Sequence, residues 1–133
     1  MAYTQSHIAH LNTRGRNFYS DHKLLEKVYE FLQDDIDTIG EKIRTVRGNT
    51  CDSLGEIMSH SSIIDFPVTG TADELLETVD EAIESLIQEY HLVYEEAEAV
   101  NYIDISNFAQ DQIGQLAKLR WMIEATLDEV EEE

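Results

Sequence analysis

The chain has one cysteine, one proline, one tryptophan and six glycines in 133 residues, and each scarcity excludes something. A lone Cys51 cannot close an intramolecular disulfide, so a reducing, cytoplasmic setting is expected. With so little Pro and Gly the chain lacks the turn residues that many short strands need, which favours helices. No apolar run is long enough for a membrane span, and MAYTQSHIAHLN lacks the apolar centre of a signal peptide. Basic residues are few: nine Lys and Arg stand against 28 Asp and Glu, for a net charge of −19, and from Gly48 to Ala117 there are fifteen acids and no Lys or Arg. Such a surface repels phosphate backbones, so DNA binding is expected to be absent or weak and cations are the natural small ligands.

What is present is helical periodicity. Hydrophobic residues make up 42% of the chain, enough for one core, and residues 1–133 are expected to form a single domain with 128–133, DEVEEE, as an acidic tail. Acids at a helix C-terminus oppose its dipole, so the tail is expected to fray. From Phe18 to Val46 a heptad row of Phe18, Leu25, Leu32, Ile39 and Val46, with Tyr29, Ile36 and Ile43 beside it, predicts one long amphipathic helix whose His22 faces the bundle interior. Thr71-Ala-Asp-Glu74 is a capping-box pattern that opens a second long helix through Leu76, Val79, Ile83, Leu86, Tyr90, Val93, Ala97 and Val100. A third begins near Ile105 and carries Phe108, Leu116, Leu119, Ile123 and Leu127 inward. Ala2 to Asn12 makes a short first helix, ended by Gly15. Between the first two long helices, Ser53 to His60 predicts a short crossover helix, followed by a loop from Ile63 to Gly70. The fold class is all-α: a four-helix bundle with a crossover helix between its second and third helices.

On the first long helix two ligand-type pairs stand at i, i+4: His22 with Glu26, and Asp37 with Glu41. Fifteen residues of helix separate His22 from Asp37 by ~22 Å, so one chain cannot bring both pairs to one ion. The positions are symmetric about a point between Phe31 and Leu32, however. Two copies of the helix crossing antiparallel there, with Phe31 exposed at the crossing, place His22 and Glu26 of one subunit against Asp37 and Glu41 of the other. His10 folds back across the Gly15 bend to add a second imidazole. Two imidazoles and three carboxylates suit iron, with zinc and manganese as competitors. Against this stands the plain reading that carboxylates at i, i+4 are common on solvated helices.

The run HLNTRGRNFYSDH with its downstream acids resembles the ferroxidase segment of the Dps family, the mini-ferritins or DNA-binding proteins from starved cells. His10, Asn12, Gly15, Asn17, Phe18, His22, Asp37 and Glu41 fall on that pattern without an insertion. SLGEIMSHSSI resembles the family's short crossover helix, and LRWMIEATL its last helix. The resemblance implies a ferritin-like bundle, twofold dimers assembling to a hollow dodecamer, and oxidation of Fe(II) by hydrogen peroxide or dioxygen at His10, His22, Glu26, Asp37 and Glu41. It also implies iron storage and protection against oxidative damage. Departures are Glu26 where the family has Asp, Leu11 where it has Trp, with Tyr19 or Tyr29 as aromatic substitutes, and Gly40 where Ala is usual. The family's threefold pore is lined by acids near the start of the last helix, and the resemblance makes Asp104 and Asp111 the candidates here. His7 is expected to be exposed or capping rather than a ligand, and His60 and His91 to be surface or crossover residues. The competing function is a non-enzymatic acidic helical protein that binds a basic partner or mimics nucleic-acid charge.

Overall fold

Five helices follow one another in the computed structural model, which describes residues 1–128: α1 Ala2–Asn12, α2 Phe18–Thr45, α3 Leu54–His60, α4 Ala72–Ala99 and α5 Ile103–Leu127. Of the expected acidic tail only Asp128 falls within the described residues. There is no strand among them. Helices α1, α2, α4 and α5 form the four-helix bundle, and α3 lies in the long connection between α2 and α4.

Local chemistry accounts for the boundaries. Gly15 takes φ +116° between α1 and α2, a backbone state that a residue with a Cβ rarely adopts. Gly70 has φ +128°, and a Cβ there would come within 3.1 Å of the Glu74 side chain. That close approach serves the cap of α4: Thr71 Oγ1 accepts from Glu74 N at 3.2 Å, and the Glu74 carboxylate accepts from Thr71 N at 3.3 Å. Ser53 Oγ likewise accepts from Glu56 N at the start of α3. Removing the α4 cap with Thr71→Ala is expected to lower stability by ~1 kcal/mol, seen as a lower denaturation midpoint with an unchanged slope.

The core is formed by Leu25, Val28 and Leu32 of α2, Leu75, Leu76, Val79 and Ile83 of α4, and Leu116 and Ile123 of α5. Burying each such aliphatic side chain contributes about 1.5–3 kcal/mol. The stripe that α2 turns inward is Asp21, Leu25, Val28, Leu32 and Asp35, which corrects the heptad row: Phe18 is 42% and Ile36 58% exposed. Val93 and Val100 of the expected α4 row are also exposed, and Phe31 is half-buried against the core rather than exposed. The buried stripe keeps the three-four spacing of a heptad, but its second seam is Asp21, Val28 and Asp35 beside Leu25 and Leu32, one position before the expected His22, Tyr29 and Ile36.

Two carboxylates therefore lie in the interior. Burial pushes the Asp35 carboxyl up to about 6, against a hydrogen bond from Gln112 that favours its ionised form. Asp35 Oδ2 and Gln112 Oε1 are both buried without a hydrogen-bond partner. Burial raises Asp21 too, with Asp73 adding like-charge repulsion.

Candidate metal centre

Helix α1 runs back along the start of α2 and brings His10 onto His22. The two imidazoles stack with centroids 3.6 Å apart and planes 18° from parallel. His10 is 5% exposed and His22 is half-buried. The expectation that His22 faces the bundle interior is thus corrected: it faces α1, because the inward stripe of α2 passes through its neighbour Asp21.

The hydrogen bonds between these residues are reciprocal. Nδ1 of His10 lies 2.7 Å from the backbone oxygen of His22, and Nδ1 of His22 lies 2.8 Å from the backbone oxygen of His10. A carbonyl oxygen only accepts, so both Nδ1 atoms donate. In the neutral ring this leaves each Nε2 as a free lone pair, the form that binds a metal.

Glu26, one turn along α2, is half-buried and near both rings. Its carboxylate accepts from Lys23 Nζ at 3.1 Å, and this hydrogen bond holds Glu26 below the usual carboxylate range. Lys23 lies outside the ligand pattern, although opposite charges at i, i+3 on a helix signal the pair. Tyr29 completes the aromatic surround: its ring lies 4.8 Å from both His7 and His10. Tyr19 instead is 71% exposed and sits beside Lys23, so of the two tyrosines Tyr29 is the one at the imidazoles. Leu11 is 61% exposed. His7 is half-buried and stacked between Tyr3 and His10, neither exposed nor capping. His60 and His91 are exposed, as expected.

Asp37 and Glu41 are not brought to the imidazoles. Both are exposed on the second half of α2, where they line an open groove of about 860 Å³ together with Tyr3, Ile36, Gly40 and Arg44. A Cβ on Gly40 would meet only Thr50 Cγ2, at 3.9 Å, so nothing within the chain requires glycine there. Among the described residues no three His, Cys, Asp or Glu side chains of one chain come together to hold a metal ion. Of the two acids offered as pore candidates, Asp104 is exposed and ion-paired with Lys42 at 2.8 Å, and Asp111 is exposed. No helix of the described residues is long and apolar enough to cross a membrane.

Comparison with known proteins places these features in a family. The family model for the ferritin-like domain matches residues 1–132. The chain is 25% identical over 126 residues to the DNA protection during starvation protein of Brevibacillus brevis, covering 95% of this chain and 85% of that one. It is also 25% identical to the Helicobacter pylori protein of the same name, covering 94% and 88%. The crystal structure of Dps from Staphylococcus aureus superposes with a TM-score of 0.90 at 22% identity, over 97% of this chain and 87% of that one. With its helix order, its crossover helix and its paired histidines, the chain belongs to the ferritin-like family as a Dps-type member.

Proposed function

We propose that this protein is a mini-ferritin that binds Fe(II) between subunits, oxidises it and stores the product. The observation that carries this reading is the reciprocal pair of imidazole–carbonyl hydrogen bonds, which holds both histidines in the tautomer that leaves Nε2 free. The groove bearing Asp37 and Glu41 is the complementary half-site. A twofold axis near Phe31 and Leu32 brings it to His10, His22 and Glu26 of the second copy, with an equivalent site ~22 Å away. Rings stacked with centroids 3.6 Å apart do not aim both lone pairs at one ion, so each imidazole serves its own iron of a pair about 3.5–4 Å apart.

Iron is the substrate. Two Fe(II) each give one electron to hydrogen peroxide, its O–O bond breaks, and two hydroxides remain with two Fe(III). The carboxylates of Glu26, Asp37 and Glu41 balance the added positive charge, and the incoming metal displaces Lys23 from Glu26. Zinc and manganese suit the same donor set and compete for it. The twofold dimers assemble to a dodecamer in the cytoplasm, where part of the acidic face of α4 lines the cavity and takes up the oxidised iron.

Wild-type protein is expected to sediment as this assembly and to oxidise Fe(II), and His22→Ala and Asp37→Asn should each lower the rate by about 100-fold or more, beyond what loss of an outer-shell partner costs. Monomer alone at micromolar concentration, or variants as active as wild type, would sink this proposal. The acidic binding-protein reading, motivated by the −19 net charge, would then lead.

Protection of DNA, for which the curated relatives are named, is on this reading chemical: iron and peroxide are consumed together. Duplex DNA is expected to migrate unretarded with submicromolar protein at moderate salt and without divalent metal. Retardation would show that Arg14, Arg16, Arg44 and Arg47 assemble a basic patch on the otherwise acidic surface.

A further inference from the structure

The seam between α2, α4 and α5 holds a cavity of about 490 Å³, walled by Ile39, Ile43, Val93, Ala97, Ile105 and Phe108. That volume lies in the range of small-molecule sites, and the walls are apolar with few polar groups, as in such sites.

The polar groups decide the ligand. Lys42 is the one cation among the lining residues, its ammonium 5.6 Å from the centre of the Phe108 ring. Its present partner is Asp104 at 2.8 Å, whose side chain is 70% exposed. A carboxylate that returns to water when displaced is a weak competitor for that ammonium. Glu96 is the one carboxylate lining the cavity; it is exposed and therefore screened. Tyr90 and Tyr102 also line the cavity.

We propose that this cavity binds a medium-chain fatty acid, its alkyl chain between α2, α4 and α5 and its carboxylate on Lys42 in place of Asp104.

The test is calorimetric titration of the assembled protein with octanoate, decanoate, decan-1-ol and decylammonium, each below its micelle concentration. Decanoate is expected to saturate at one molecule per chain and to bind about fourfold tighter per added methylene until the cavity is filled. Lys42→Met should weaken decanoate about tenfold and leave decan-1-ol unchanged, since only the acid loses a charge-assisted hydrogen bond. Val93→Phe, at a position 36% exposed and so open to a larger side chain, should fill the cavity and weaken both. Three results overturn the proposal: uptake that does not saturate, decylammonium binding more tightly than decanoate, or decanoate affinity untouched by Val93→Phe.

Discussion

Refolding an equimolar mixture of His22→Ala and Asp37→Asn chains is expected to restore about a quarter of the wild-type iron-oxidising sites, although neither variant is active alone. In a homodimer of His22→Ala both sites lack an imidazole, and in a homodimer of Asp37→Asn both lack a carboxylate. In the mixed dimer the two losses fall on one site. The other draws His22 from the Asp37→Asn chain and Asp37 from the His22→Ala chain, and is whole. Random pairing makes half of the dimers mixed, each with one good site of two. The rate of Fe(II) oxidation after complete exchange measures this directly. Recovery near zero despite proven mixing means that the two residues never serve the same centre from opposite subunits. The single chain motivates the experiment, because His10 and His22 stack while Asp37 and Glu41 face solvent elsewhere on the same helix.

The second large effect concerns the interior carboxylate. Asp35 titrates at about 6 in the folded bundle and at 3.8 in the unfolded chain. Between these values the folded state holds a proton that the unfolded state has lost, so stability falls as pH rises from about 4 to about 6 and stays lowered above. The sign is opposite to that of an ion-paired carboxylate. The penalty above pH 6 is on the order of 2–3 kcal/mol. Asp35→Asn removes the charge and keeps a side chain able to pair with Gln112. The variant is expected to be more stable than wild type at pH 8 by a large part of that amount, and to match it near pH 4. Denaturant midpoints at the two pH values check this; equal differences at both would show that Asp35 does not carry the pH dependence. Protonation turns the buried, unpaired Oδ2 of Asp35 from an acceptor alone into a donor.

How much of this was legible beforehand follows from the range of each interaction. Helix limits were readable because their causes are local: the Thr71–Glu74 cap, the Ser53 cap and the Gly15 turn act within four residues. The ligand pairs on α2 were readable for the same reason, as i, i+4 neighbours on one helix, and the family pattern from His10 to Glu41 lies in one continuous run of residues. The facing of α2 was not readable to the residue. A heptad row and the true stripe differ by one position at Asp21 and His22, and an amphipathic helix carries several rows that could turn inward. Packing against α4 and α5 chose the row with Leu25, Val28 and Leu32 and took Asp21 and Asp35 inside with it.

The sequence by itself determined that the chain is a set of helices of these lengths, strongly acidic, with His22–Glu26 and Asp37–Glu41 too far apart on one helix to meet in one chain. Helical rise and side-chain spacing follow from covalent geometry and hydrogen bonding alone. Only the tertiary structure decided that His10 lies face to face with His22, that their Nδ1 atoms donate to each other's backbone, that Tyr29 rather than Tyr19 stands beside them, and that a cavity lies between α2, α4 and α5. Each of these depends on how two or more helices are rotated and shifted against one another. That choice is made by burial summed over the whole interface, which no short stretch of residues contains.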